Sequence, residues 1–229
     1  MRINPLVFIL LLSFISSSLS AQDFSSGIAP EFAISKDLSD ALEFTGKVET
    51  FHSTYSNNSG EAVWQYLHKG TKFQSFISYS IHPLWEITGG YQLEFTENEI
   101  SSNRLMQQIS FVQRAQGFRL GHRLRLGQTF YASSATKYRL RYRFSSDFPM
   151  QGAAIDPGEF FFVVSNEVLF ESQDRQEDIE NRFVAGIGHY FNSKQAMEIG
   201  LDYRTDKYIE GNLAHELWLV LGWSVSLNH

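Results

Sequence analysis

Between residues 118 and 144 the chain concentrates side chains suited to holding anions. Arg119, Arg123 and Arg125 alternate with Phe118, Leu120, Leu124 and Leu126, and Lys137, Arg139, Arg141 and Arg143 alternate with Tyr138, Leu140, Tyr142 and Phe144. A guanidinium presents N–H donors in a fork that matches a carboxylate or a phosphate. A helix would scatter these cations around its circumference, whereas a strand lines them up on one face and the apolar set on the other. Glu43, Glu49, Glu86, Glu94, Glu167, Glu171, Glu198, Asp202 and Glu216 occupy equivalent alternating positions elsewhere. Two uses of this arrangement are open. The basic ladder could bind or guide a small anion, or it could pair with the acids as a charged core that closes a narrow barrel.

Other catalytic and ligand-binding chemistry is thinner. His52, Ser53 and Thr54 lie at a strand end, and Ser165 shares a face with Glu167, but no spacing ties a serine to a histidine. Triads are defined by geometry rather than sequence order, so the expectation is a protein that is not an enzyme. A lipid-modifying enzyme of the outer membrane is kept as an alternative. The histidines at 52, 68, 82, 122, 189, 215 and 229 have no metal-ligand spacing, so neither a metal nor a cofactor is expected. Gly186 and Gly188 read as strand glycines beside a bulky neighbour rather than as a phosphate loop.

The elements that must position the charges follow from the same alternation. Period-two patterns run through Ala41–Glu49, Phe73–Ile81, Trp85–Thr96, Leu105–Val112, Phe118–Phe130, Thr136–Phe144, Phe160–Glu171, Arg182–Phe191, Met197–Arg204 and Leu213–Leu227. No sustained helical period follows the N-terminal stretch. Short turns at "SIHPLWE", "RAQGF" and "FNSKQ" alternate with longer polar connections at "STYSNNSGEAV", "TENEISSN", "ESQDRQEDIEN" and "TDKYIEGN". The connection "SSDFPMQGAAIDPG" is long where a short turn is expected. Short turns at one rim and polar loops at the other are the layout of an outer-membrane barrel. An eleventh segment, "SSGIAPEFAIS", is demoted by Pro30, which cannot donate to a ladder. The expectation is therefore an all-β, antiparallel, up-and-down transmembrane β-barrel of ten strands, with twelve as the alternative.

In a bilayer the outer face must be apolar, which turns the arginines inward. Phe118, Phe130, Phe144, Trp85, Phe95, Trp223 and Tyr203 near segment ends match interfacial aromatic girdles. His122 and His189 fall on the outward set as exceptions. The reversed arrangement, a secreted soluble β-barrel with an apolar interior for an apolar ligand, is the other reading that alternation allows.

Length and composition are consistent with a single exported domain. The first residues, "MRINPLVFILLLSFISSSLSAQD", carry one cation, an apolar run and then small residues, the layout of a cleaved signal peptide over 1–21. That leaves one barrel domain over 22–229. Cleavage would remove Arg2 and no acid, taking the formal net charge from −6 to −7, which argues against general nucleic-acid binding. The chain has no cysteine, hence no disulfide framework and no lipid-anchored cysteine.

The order of "GHRLRLGQTF", "KYRLRYRF", "ENRFVAGIGHYFNSKQAMEIGLDYRTDKY" and "HELWLVLGWSVSL" resembles the domain of unknown function 2490 family, and the likeness runs from about Ser25. The resemblance implies an exported outer-membrane β-barrel of a kind common in Bacteroidota, and it implies no established function. The chain end is similar to the signal read by the barrel-assembly machinery, with Gly222, Val225 and Leu227 at the glycine, hydrophobic and terminal positions. It departs from that pattern in ending Leu227-Asn228-His229. Expected partners are outer-membrane lipid, that machinery and a small anionic solute. The expected role is structural or that of a narrow, porin-like channel for small solutes.

Overall fold

The computed structural model describes residues 23–58, 61–97, 99–115, 118–152 and 154–228. The signal-peptide reading of 1–21 lies outside the described residues. Within them the strands are β1 (Asp23–Asp37), β2 (Leu42–Asn58), β3 (Glu61–His82), β4 (Trp85–Thr96), β5 (Glu99–Ala115), β6 (Phe118–Phe130), β7 (Lys137–Pro149), β8 (Phe160–Gln173), β9 (Gln176–Asn192), β10 (Gln195–Asp206) and β11 (Ala214–Ser226). Each strand pairs with its sequence neighbours, and β1 pairs with β11, closing the barrel.

The count corrects the sequence reading, because eleven strands rather than ten or twelve form the sheet among the described residues. The extra one is the demoted segment, β1. An odd number of up-and-down strands forces the first and last to run the same way, and β1 and β11 are parallel from Asp23↔Ala214 to Ser35↔Ser226. The start of β1 and the end of β11 therefore sit at opposite rims. Pro30 is accommodated on one side only. Its register with β11 is unbroken through Pro30↔Leu221, whereas the ladder to β2 passes from Ile28↔His52 to Glu31↔Glu49 with no partner for Ala29 or Pro30.

The short turns expected at "SIHPLWE", "RAQGF" and "FNSKQ" join β3–β4, β5–β6 and β9–β10 at one rim, which is also where β11 ends. The long β7–β8 connection lies at that rim too. At the other rim, three of the four polar connections expected as loops are mostly strand. β2 and β3 continue to Asn58 and Glu61, β4 to β5 turns at Glu97, and β8 to β9 turns on Asp174 and Arg175. Asp174 and Arg175 both have positive φ, 49° and 65°. That is the backbone a tight two-residue hairpin needs to follow the strand twist. Polar alternation in a tall hairpin and polarity in a loop look alike in sequence.

Glycine makes room for large rings inside the barrel. Gly188 lies in register with Phe161, and a Cβ there would meet the ring at 2.1 Å. Gly90 faces Phe76 in the same way, with 2.5 Å left. Gly188 thus has the bulky neighbour anticipated for it, whereas a Cβ at Gly186 would meet the Ile199 and Gly200 backbone instead.

Candidate functional site

The two faces of the sheet differ completely. Leu124, Leu126, Leu140, Ile77, Ile87, Ile109, Val168, Ile187, Ile199 and Leu201 are exposed on the outside. Aromatic side chains bracket this aliphatic band. At the short-turn rim Phe32 meets Trp223, Trp85 meets Phe111 and Phe118 meets Phe148, at 5.4, 4.6 and 6.0 Å between ring centroids. Toward the tall rim Phe24 meets Tyr55, Tyr55 meets Trp64, and Phe73 meets Phe95.

Polar groups on this outer face satisfy one another. Asn166 and Asn181 exchange amide hydrogen bonds at 3.1 and 3.2 Å, and Gln107 and Gln128 do so at 3.4 and 3.3 Å. The outward histidines sit among the aromatic residues. His122 bonds the Tyr142 hydroxyl at 2.8 Å, and His189 lies between Phe160 and Phe191 at 4.4 and 4.7 Å. His52 bonds Tyr66 at 2.7 Å and Thr50 at 3.1 Å. Ser53 is buried on the opposite face, so the two do not form a nucleophile–base couple. Among the described residues no cluster of three or more His, Cys, Asp or Glu is arranged to hold a metal.

The basic ladder is on the inside, mostly along β6 and β7. Strand register sets Arg123 opposite Arg143, Arg125 opposite Arg141 and Gly127 opposite Arg139. Next to them β8 supplies carboxylates. Glu167 accepts from Arg123 at 2.6 Å and lies 3.8 Å from Arg141, while Glu171 takes Lys137 at 3.2 Å and pairs with Arg139. Arg119 is the exception, a half-exposed side chain near the rim that donates to Asp147 at 2.8 Å. Leu120, Leu124 and Leu126 point the other way, so the interior is not the apolar one that a carrier of apolar ligands requires.

The facing wall is acidic. Glu43, Glu49, Glu86, Glu94, Glu198, Asp202 and Glu216 all point inward, as alternation anticipates. Glu43 accepts from Thr45 at 3.1 Å, Glu86 from Thr88 at 3.0 Å and Glu49 from Gln74 at 3.3 Å. Glu198 lies directly opposite Gly222. The wall also holds cations absent from the sequence-based set. Arg204 pairs with Asp202 at 2.7 Å and with Glu216 at 3.8 Å, Arg182 with Glu180 at 2.5 Å, Lys47 with Glu31 at 2.5 Å and Lys72 with Glu94 at 3.9 Å. Arg104 on β5 is the remaining addition. Each could be found by parity, since Arg204 stands two residues from Asp202, but single cations lack the repeat that made the ladder visible.

Aromatic rings also enter the lumen. Phe51 and Trp218 meet edge to face at 5.3 Å over Ala29 and Gly27. Lys72 stands 4.2 Å from the Phe51 ring and Arg204 5.3 Å from it, while Arg125 on β6 is 5.3 Å from the ring of Phe76 on β3. The Arg204–Phe51 and Arg125–Phe76 contacts join strands three apart, so side chains bridge the interior rather than lining an empty bore. Eleven strands at about 4.8 Å spacing and about 40° tilt enclose a backbone radius of about 11 Å. Long side chains from all sides fill most of that.

At the chain end Gly222 faces inward beside Glu198 and Val225 pairs with Gln195 and Ile34. Leu227 lies just past β11, with its N–H on the Ser35 carbonyl at 2.8 Å.

A closed β-barrel with an aliphatic, aromatic-rimmed exterior and a charged interior is the class that fold and side chains define. Over residues 32–214, from within β1 to the first residue of β11, the sequence matches the family described as "Protein of unknown function (DUF2490)", and the chain belongs to that family. No curated protein and no solved structure matches it.

Proposed function

We propose that the protein is an outer-membrane β-barrel whose charged lumen forms a narrow passage for small solutes. The observation that carries this reading is the segregation of the two faces, with leucine, isoleucine and rim aromatics outside and Arg–carboxylate pairs inside. Hydrocarbon leaves no polar group unsatisfied, and the reciprocal amide pairs of Asn166–Asn181 and Gln107–Gln128 meet that demand on the outer face. The export signal read over residues 1–21 and the pattern read at Gly222, Val225 and Leu227 support insertion by the barrel-assembly machinery. Side chains that bridge the interior restrict the passage to small solutes.

Membrane fractionation combined with heat-modifiable gel mobility tests the location. The expected result is an outer-membrane protein whose unboiled form migrates differently from the boiled one, and a soluble, unshifted protein would overturn it. Planar-bilayer recording tests the passage. Small unitary currents are expected, with ion selectivity altered in an Arg139→Glu, Arg141→Glu variant. Absent or unaltered conductance would leave the charges as scaffolding.

A further inference from the structure

On the β5–β7 wall the cations exceed the carboxylates that reach them. Glu167 serves both Arg123 and Arg141, and Glu171 serves both Lys137 and Arg139. Among the described residues no carboxylate lies within ion-pairing distance of Arg104, Arg125 or Arg143. The partners these three do have are neutral. Arg104 donates to the Thr129 hydroxyl at 2.6 Å, and Arg125 donates twice to the side-chain oxygen of Gln108, at 2.9 and 2.6 Å. Such acceptors orient a guanidinium without offsetting its charge. Arg143 has a buried Nε with no hydrogen-bond partner.

Register makes the imbalance worse, because Arg125 stands directly across from Arg141 and Arg123 from Arg143. Like charges directly opposite one another on a sheet face repel, and buried charge is retained only when it is paired or wet. A shared anion resolves both problems together.

We propose that Arg125, Arg141 and Arg143, contiguous on the inner face of β6 and β7, form a luminal binding site for a small oxyanion of the phosphate type. Forked N–H donors, with that of Arg125 oriented by Gln108, suit an anion with several oxygens better than a spherical halide. The site deepens the reading of the lumen as a passage by naming what the passage holds, and it rests on that reading for its role but not for its chemistry.

The test uses the mature chain refolded in zwitterionic detergent, with inorganic phosphate titrated against chloride at constant ionic strength. The unfolding midpoint is expected to rise saturably with phosphate. In Arg125→Gln and Arg143→Gln the apparent affinity should fall about tenfold, the loss expected for one charge-assisted hydrogen bond. Arg119→Gln, at the rim, should respond like the parent. Without phosphate, Arg143→Gln should be no less stable than the parent, since a repulsion has been removed. Arg143→Lys keeps the charge and loses the fork, so it should fold and still bind phosphate more weakly. A parent with no saturable response, or an Arg119→Gln effect as large as that of Arg143→Gln, would overturn the site. So would an Arg143→Gln protein that is destabilised without phosphate and unchanged in affinity. Binding is read in detergent, so a barrel that takes phosphate but conducts nothing in a bilayer keeps the site and refutes only the passage.

Discussion

Replacing Glu167 by Gln should be among the most destabilising single changes in the lumen. The side chain is only 8% exposed, accepts from Arg123 at 2.6 Å and lies 3.8 Å from Arg141. Strand register also sets it between Arg143 on β7 and Arg182 on β9. Neutralising it removes the carboxylate that Arg123 and Arg141 share and leaves Arg123 without its ion pair. Breaking a buried pair from one side costs about 3–5 kcal/mol, and glutamine keeps one acceptor oxygen, so a loss near about 3 kcal/mol is expected. Asp147→Asn is the internal comparison. Its partner Arg119 is 60% exposed, and an exposed pair is worth about 1 kcal/mol or less. Urea unfolding in detergent micelles, followed by tryptophan fluorescence with buried Trp218 as a reporter, measures both. Equal losses for the two variants, or a Glu167→Gln protein more stable than the parent, would refute the reasoning that Glu167 holds the basic wall together.

Further outcomes follow from the packing and the turns. Gly188→Ala places a methyl where 2.1 Å separates the position from the Phe161 ring, and such overpacking costs about 1–3 kcal/mol. A second change, Phe161→Leu, should recover part of it in the same unfolding assay. On the outer face Asn181→Leu leaves the side-chain oxygen of Asn166 without its donor, while the amide N–H keeps the Arg182 carbonyl, and the loss should cost about 1–3 kcal/mol. The double variant Asn166→Leu, Asn181→Leu should be close to the parent, as a double-mutant cycle in lipid vesicles would show. The β8–β9 hairpin carries positive φ at two non-glycine residues. Asp174→Asn with Arg175→Gly should therefore raise the unfolding free energy by about 1 kcal/mol.

The parts legible in the sequence were those where one physical demand repeats. β6 runs from Phe118 to Phe130 as alternation anticipates, because leucine and arginine on opposite faces leave one register that keeps charge off the apolar exterior. β1 escaped because Pro30 argues against a central strand, and only the pairing shows that the ladder to β11 tolerates it while the ladder to β2 skips it. The tall hairpins escaped because Glu61, Gln65 and Lys69 are polar in a strand as they would be in a loop. The Phe51–Trp218 pair escaped for a different reason. Parity with Glu49 and Glu216 puts both rings inside, but only the strand pairing shows that β2 and β11 flank β1 and so bring the two rings together.

Which face meets lipid is the claim on which the rest depends, and the chain has no cysteine, so single introduced cysteines can be spin-labelled one at a time along β5. Side chains at Leu105, Gln107, Ile109 and Phe111 point outward, and those at Met106, Gln108, Ser110 and Val112 point inward, as their pairing with Gln128, Leu126, Leu124 and His122 and with Gly127, Arg125, Arg123 and Gly121 requires. In lipid vesicles, collisions with oxygen, which concentrates in hydrocarbon, should be frequent at the first set and infrequent at the second. Access to a water-soluble nickel chelate should be low throughout the first set. Oxygen accessibility that peaks at Met106, Gln108 and Ser110 instead, or that shows no two-residue period, would contradict the account.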